Sequence, residues 1–224
     1  MQMLASRMTS SEIKAAFIQS LASEDSKFLA FDFKRSPKST FYTRRRSGVS
    51  QRFDATLAVN PSYVREALAH VYPRVRLEIE DVSDIASQLV GGNPVLLANA
   101  SKVLVNRPFE HLVPKEERLQ WYAYKPSDFT KITAAITTQF EKWGLPFFDD
   151  YWTPSDIVKG FESDDNRPKL QENWTVFVIA SYLCLHRTDA AIALAEAAFF
   201  SSGLRKKYDV VFANLPKVID QLKK

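Results

Sequence analysis

The sequence is poor in the residues that most catalytic and nucleotide-binding motifs require. Cys184 is its single cysteine, so no disulfide can form within the chain, as is typical of proteins from a reducing compartment. Only six glycines occur, and no glycine-rich phosphate loop or GxSxG elbow is found among them. The usual sequence signatures of P-loop nucleotide-binding proteins and of α/β-hydrolases are therefore missing.

Long apolar runs are also missing. No stretch approaches the roughly 20 residues that cross a bilayer, and the first residues are too polar for the apolar region of a secretory signal. The sequence therefore predicts a cytoplasmic protein that does not bind a membrane. Thirty basic residues against 26 acidic ones give a formal charge of +4, too small an excess to indicate a nucleic-acid partner by itself.

The overall composition is that of a globular protein. Hydrophobic residues make up 46% of the chain and charged residues 25%, and neither value is typical of a disordered chain. A chain of 224 residues can bury a sufficient core without disulfides or a structural metal. No cofactor is predicted.

Residues 40–61 carry the clearest hairpin pattern in the chain. One strand is predicted before Ser47-Gly48 and one after it. The turn falls there because Gly48 allows the positive φ that a tight reversal needs. Alternate residues of the second strand are apolar and predict one buried face. These residues are Phe53, Ala55, Leu57 and Val59.

The rest of the front half contains both the alternating pattern of strands and the three-to-four-residue pattern of helices. Further strands are predicted over residues 28–34, 74–80 and 119–124. Helices are predicted over residues 10–22, 62–70 and 81–90. Residues 93–113 fit strands or short helices equally well, and prolines interrupt them in either case.

The back half is helical in pattern. A helix is predicted over residues 127–143, ended by Gly144, and another begins after Thr153 because a capping residue followed by proline is a common helix start. Three more helices are predicted over residues 174–185, 189–202 and 204–223. Pro216 is expected to kink or break the last of them.

These patterns together predict an α+β protein: an antiparallel sheet with helices packed on one face, followed by a helical C-terminal subdomain. Residues 164–169 form the predicted linker. The predicted domains are an α+β body over residues 1–163 and the helical subdomain over residues 170–224, and the two can also pack as one domain.

Arginines dominate the hairpin and the strand after it. If the strands share one sheet, five arginines could lie on one exposed face, with Arg45 pointing the other way, toward a sheet edge or a partner. These five are Arg44, Arg46, Arg52, Arg74 and Arg76. Guanidinium groups bind phosphate and carboxylate well, so the face suits an anionic partner. The alternative is a solvated face neutralised by Asp54, Glu78 and Glu80.

The densest aromatic cluster lies near residues 143–152. Core packing is the first interpretation, since such side chains bury a large apolar area. A partner-binding hot spot is the second, because tryptophan and tyrosine dominate such sites. The candidate residues are Trp143, Phe148, Tyr151 and Trp152, next to Phe147.

Residues that could support catalysis or bind a metal are sparse. The three histidines are widely separated and have no metal-ligand spacing. Paired carboxylates occur at Asp149-Asp150 and Asp164-Asp165, where they could hold a cation or share a proton, although the charge also suits the start of the Thr153 helix. Cys184 lies in an apolar helical pattern typical of an inert thiol. No catalytic residue and no metal site is predicted.

Four short motifs occur in order along the chain: Phe33-Lys34-Arg35, residues 40–45, an alternating strand that ends near Pro61, and residues 145–149 before a helix. Together they resemble a bacterial family, domain of unknown function 4304. The resemblance covers roughly residues 10–161 and leaves out the helical tail. It implies a compact α+β bacterial domain with no catalytic residues to carry over, and some orphan domains of this kind are immunity proteins encoded beside polymorphic toxins.

The predicted function is accordingly a non-catalytic bacterial interaction protein, of the immunity or antitoxin type, that binds a protein partner. Its contact surface would be the arginine face or the aromatic cluster. The alternative is a protein that binds nucleic acid or another anionic ligand through the same arginines. A third hypothesis, a hydrolase, needs Asp149 and Asp150 to meet a distant histidine.

Overall fold

The strand periodicities of the front half produce an antiparallel sheet of five strands. A computed structural model describes residues 8–98, 102–168, 173–200 and 202–223. The strands are β1 (Phe41–Arg46), β2 (Val49–Val59), β3 (Ala69–Ile79), β4 (Val105–Pro108) and β5 (Trp121–Ala123). Their order is β1-β2-β3-β4, and β5 pairs antiparallel with the start of β3, where His70 faces Tyr122 and Val71 faces Trp121.

Helices make up most of the remaining described residues. They are α1 (Ser10–Ala22), α2 (Asp25–Leu29), α3 (Glu80–Leu89), α4 (Asp128–Gln139), α5 (Leu145–Asp149), α6 (Pro154–Glu162), α7 (Asn173–Cys184), α8 (Thr188–Ala198), α9 (Ser202–Lys207) and α10 (Asp209–Leu222). Short 3₁₀ turns cover Pro94–Leu97, Phe109–His111 and Lys115–Glu117. The chain is an α+β protein with a helical C-terminal region, as the sequence predicts.

By contact density the chain divides into two compact units. The first comprises Met1–Arg44, Arg52–Val75 and Pro108–Pro146, and the second comprises Arg45–Gln51, Arg76–Arg107 and Phe147–Lys224. This division differs from the predicted domains, because the C-terminal helices share the second unit with residues 45–51 and 76–107. Of the predicted linker, residue 169 lies outside the described residues.

The first unit is built around packed aromatic rings. The Phe53 ring of β2 lies 5.3 Å from Phe109, 4.8 Å from Phe140 and 5.7 Å from Phe28, measured between ring centroids. All four side chains are fully buried. Such pairs contribute about 0.5–1.5 kcal/mol each beyond their buried area. The cluster therefore holds α2 and the end of α4 against β2.

The second unit is built around helix α7. Its residues from Val176 to Leu183 are all buried, on every side of the helix. A helix that is apolar all round must be enclosed by other elements, and α3, α6 and α8 pack against it. Helix α7 is thus the centre of this unit's core.

Two of the predicted elements in the front half are wrong. The strand predicted over residues 28–34 is helix α2 followed by turns, with one bridge between Lys34 and Thr43. Its aromatic residues serve core packing instead, since Phe28 stacks on Tyr42 with ring centroids 3.7 Å apart. The helix predicted over residues 62–70 is a loop up to residue 68, which the Asn60 N–H closes by donating to the Leu68 carbonyl, 2.9 Å away. Its last two residues begin β3.

A predicted helix end and a predicted helix break are also wrong. Gly144 does not end its helix, because a π-helical turn over Phe140–Gly144 carries the chain directly into α5. A Cβ at position 144 would lie 2.7 Å from the Phe140 ring and 3.1 Å from the Phe109 ring, so packing explains this glycine. Near the C-terminus α10 continues through Pro216, so the expected break does not occur there, and the helix predicted over residues 204–223 is instead broken at Tyr208. A kink at Pro216 stays a prediction.

Gly160 allows close packing within the second unit. A Cβ added at this position would collide with the Tyr151 hydroxyl and lie 3.1 Å from two of its ring carbons. We expect Gly160→Ala to lower the free energy of unfolding by about 1–3 kcal/mol, because overpacking outweighs the better helix propensity of alanine. Urea unfolding followed by circular dichroism measures the change.

The matched control is Gly203→Ala, since, among the described residues and apart from its own helical turn, no atom lies within 4 Å of a Cβ at this position in α9. It should be neutral or stabilise by up to about 1 kcal/mol. Equal effects of the two substitutions would contradict the packing explanation for Gly160.

Candidate functional site

The hairpin turn of the second unit stands between two concavities. One has a volume of about 390 Å³ and the other about 580 Å³. Both are lined by the turn itself, Arg46 to Val49, and by Glu80 at the start of α3. We call these two concavities together the hairpin groove.

The turn has the backbone that a two-residue β-hairpin needs. Ser47 and Gly48 both have positive φ, 44° and 76°, as expected for a type I′ turn that matches the twist of the strands. The Gly48 carbonyl accepts a hydrogen bond from the Glu80 N–H at 2.9 Å. The turn is therefore anchored to the first residue of α3, and the groove has a defined wall.

Charged side chains of both signs line the smaller concavity. They are Arg45, Arg46 and Lys102 on the basic side and Glu78, Glu80 and Asp84 on the acidic side. Within the part of the chain that the structure describes, none of these six makes an ion pair within 4 Å. Charges left in water in this way are available for an incoming partner, because no intramolecular pair has to be broken first.

An aromatic side chain completes the larger concavity. Trp152 is half-buried, and the Arg46 guanidinium carbon lies 5.9 Å from its ring centroid. That separation permits a weak cation–π contact. The structure therefore brings together two of the predicted candidates, Arg46 and Trp152.

Buried hydrogen bonds hold the loop that leads to Trp152. The Gln51 side-chain amide is fully buried and donates to the Phe148 carbonyl at 2.6 Å and to the Tyr151 carbonyl at 3.1 Å. Beyond the loop, Asp156 accepts hydrogen bonds from the backbone N–H groups of Trp152 and Thr153 at 3.0 and 2.8 Å. This capping box confirms the helix start predicted at Thr153.

The other predicted arginines do not share one exposed face. Arg44 lies on the same side of β1 as the buried Tyr42, and its guanidinium carbon is 4.8 Å from the centroid of the buried Phe33 ring. Arg52 pairs with Asp54 at 2.6 Å and stacks on Phe41 at 3.5 Å. The prediction of a single arginine face is therefore wrong, because strand alternation separates Arg44 from Arg52.

Arg74 and Arg76 lie on the half-exposed side of β3, as predicted. Arg45, which was predicted to point away from the arginine face, lines the hairpin groove. Lys102 and Asp84 also line it, and sequence reasoning missed them. Lys102 falls in the stretch whose periodicity fits strand and helix alike, and Asp84 is one of several acidic residues in α3, so neither carries a sequence signal.

The aromatic candidates divide between core and surface. Phe148 is 0% exposed and Tyr151 1% exposed, so both belong to the core and cannot contact a partner. Trp143 is half-buried in the π-helical turn, with the Lys142 ammonium 5.0 Å from its ring. Only Trp152 lies in the hairpin groove. Core packing thus explains Phe148 and Tyr151.

One carboxylate of each acidic pair, Asp150 and Asp165, is engaged in a network around Arg167. The Arg167 guanidinium donates to Asp150 at 2.7 Å and to both oxygens of Asp165 at 2.7–3.0 Å, while the Tyr151 hydroxyl donates to Asp165 at 2.6 Å. Burial acts to raise the pKa of Asp165, but the hydrogen bonds from Arg167 and Tyr151 outweigh it and lower the pKa below its ordinary value. These contacts explain the carboxylates as structural groups.

Cysteine and histidine chemistry is not favoured either. Burial, with a further contribution from the Asp81 carboxylate, raises the pKa of the Cys184 thiol to about 11, so it stays protonated at neutral pH. His70 is hydrogen-bonded to Tyr63, and His111 lies 3.8 Å from Glu110. Among the residues that the structure describes, no group of three or more metal-ligating side chains could hold an ion.

Comparison with known proteins adds no further information. No family model matches the chain, and neither the curated proteins nor the solved structures contain a significant match. The resemblance to domain of unknown function 4304 therefore stays a prediction. No helix within the described residues has both the length and the apolar character needed to cross a membrane.

We expect Gln51→Leu to lower the free energy of unfolding by about 1–3 kcal/mol, because two buried carbonyls lose their donor. Chemical denaturation monitored by tryptophan fluorescence measures this loss. Gln88→Leu is the control, since Gln88 is exposed on α3 and should change stability by less than about 0.5 kcal/mol. Equal stabilities of the two variants would contradict the anchoring role.

The Asp165 network also predicts a pH dependence. Because folding lowers the pKa of Asp165, its contribution to stability is complete above the ordinary value of 3.8 and is lost as the pH falls through the lowered value. Wild type should therefore exceed Asp165→Asn in free energy of unfolding at about pH 6, and the gap should narrow toward about pH 2.5. A gap independent of pH, in urea titrations across this range, would refute the assignment.

Proposed function

We propose that this chain is a non-catalytic protein-interaction module that binds a partner segment in the hairpin groove. One observation carries the proposal: six charged side chains, three of each sign, surround the smaller concavity and make no ion pair with any residue that the structure describes. A partner segment with both acidic and basic residues can satisfy this pattern. A segment with a different arrangement of charges is repelled, because it places like charges next to each other. Trp152 provides an aromatic surface for an apolar residue of the same segment.

The charge pattern favours a protein segment over nucleic acid. A phosphate backbone needs an excess of basic side chains along its path. The smaller concavity has equal numbers of both signs, and the larger one has Glu80 and Asp81 against Arg46. Phosphates would be repelled as much as attracted, which argues against the anionic-ligand alternative at this groove.

Peptide selection tests the proposed function directly. A random dodecapeptide library displayed on phage is selected on the immobilised protein, and the affinity of synthetic winners is measured by calorimetry. We expect the enriched peptides to combine acidic and basic residues with an apolar residue. Arg46→Glu and Trp152→Ala should each weaken the binding of such peptides by about tenfold or more, because each removes a central contact.

The matched control is Lys131→Glu, which makes the same change of charge at an exposed lysine of α4 that does not line the groove. It should change the affinity less than about twofold. Peptides of no common charge pattern, or equal losses in all three variants, would reject the groove. So would tight binding of a single-stranded oligonucleotide that weakens steeply with salt.

The narrower prediction of an immunity or antitoxin-type factor depends on the family resemblance. It requires a toxin-like reading frame beside the gene and a tight complex between the two purified products. If the neighbouring gene product binds wild type and Arg46→Glu equally well, the immunity prediction is supported, but the hairpin groove is not its contact surface.

A further inference from the structure

The first unit has a concavity of its own, which the proposed function does not use. It measures about 310 Å³ and lies where the start of β3 pairs with β5. The residues that matter are Tyr63, His70, Tyr72, Glu110, Trp121 and Tyr122. We call it the tyrosine cleft.

Three tyrosines surround one histidine in this cleft. The ring centroids of Tyr63, Tyr72 and Tyr122 lie 5.8, 5.4 and 4.5 Å from that of His70. Strand geometry explains the arrangement, since Tyr122 is the cross-strand partner of His70 and Tyr72 lies two residues along the same side of β3. The Tyr63 hydroxyl is hydrogen-bonded to His70 Nδ1 at 2.8 Å.

The rings form ridges instead of a flat platform. Relative to His70, their planes are inclined by 80° for Tyr63, 44° for Tyr72 and 36° for Tyr122. A single sugar ring or base stacks best on one flat ring face. Ridges with furrows between them fit a ligand that is itself ridged, with side chains at regular intervals.

The tyrosines are also unusually accessible. Tyr63 is 63% exposed and Tyr72 38% exposed. Clustered aromatic side chains on a surface mark contact sites, because a tyrosine offers an apolar face and a polar hydroxyl at little entropic cost. A cluster of this kind on the half-exposed side of β3 therefore points to a ligand.

The charge of the cleft restricts that ligand. Among the residues that the structure describes, its lining contains no lysine or arginine, and Glu110, 54% exposed at its side chain, is its one carboxylate. Partial burial, against the opposing effect of Glu110, lowers the pKa of His70 and so favours the neutral imidazole. The described part of the lining therefore offers no lysine or arginine to bind a phosphate, whereas a basic residue of a ligand can pair with the Glu110 carboxylate.

We propose that the tyrosine cleft binds a proline-rich peptide segment in the polyproline II conformation, with an arginine or lysine next to the proline core held by Glu110. A polyproline II helix presents a ridge every third residue and carries its carbonyls outward without partners. The Tyr72 and Tyr122 hydroxyls can donate to those carbonyls, and proline has no N–H that would need an acceptor. Rigid prolines also lose little entropy on binding, which suits a shallow aromatic furrow.

A peptide array tests the proposal with the intact protein. One set carries a P-x-x-P core with random flanks, and a matched set carries an A-x-x-A core with the same flanks. We expect the proline set to bind, with a preference for arginine or lysine beside the core. The best peptide should shift the backbone amide signals of Tyr72 and Tyr122 in a nuclear magnetic resonance titration.

Variants of exposed residues separate binding from folding. Tyr72→Ala and Tyr63→Ala should each weaken the best peptide by about tenfold or more, with unchanged melting temperatures. Glu110→Gln should remove the preference for a basic flank. Tyr124→Ala is the control, since Tyr124 is 54% exposed beside β5 but does not line the cleft, and it should leave the affinity within about twofold.

The proposal is overturned if the two peptide sets bind equally, or if neither binds at about 1 mM. Unchanged affinity in both tyrosine variants would overturn it as well. It is also overturned if cellohexaose or a thymidine decamer shifts the same amide signals and the proline peptides do not.

Discussion

Strand alternation in β3 is the constraint on which both surfaces depend. Because one side of the sheet is covered, the odd-numbered residues of β3 are buried and the even-numbered ones stay at least partly exposed. His70 and Tyr72 therefore enter the tyrosine cleft, and Glu78 enters the hairpin groove. A shift of one residue in register would bury these side chains and expose Val71 and Leu77, so the fold and the two surfaces cannot be separated.

The protein treats its charged groups in two different ways. Asp165, next to the core, is satisfied internally by Arg167 and Tyr151, since an unpaired buried charge is costly. The charged groups around the hairpin groove make no ion pair within the described part of the chain, which costs little while water is present. This contrast is the physical ground for reading the groove as a contact surface and the Arg167 network as structure.

Local signals were reliable where the local chemistry was unambiguous. The Ser47-Gly48 reversal, the second half of β3 and the Thr153 cap were all predicted from a few residues and are present in the structure. Aromatic residues misled the prediction in both directions. Phe28 suggested a strand but fills the core from a helix, and Phe148 suggested a surface but is fully buried. An aromatic side chain is equally suited to strand, core and interface, so its type alone does not decide among them.

The sequence by itself determined the α+β class, the hairpin and most of the helices, because periodicity, caps and turn residues act within a few positions of the chain. Only the tertiary structure decided which charges are paired and which aromatic side chains are exposed. Those outcomes depend on which distant residues meet, as Gln51 meets Phe148 and Asp150 meets Arg167. No local sequence pattern predicts these long-range contacts, since the packing of whole helices and strands determines which side chains are buried and hydrogen-bonded.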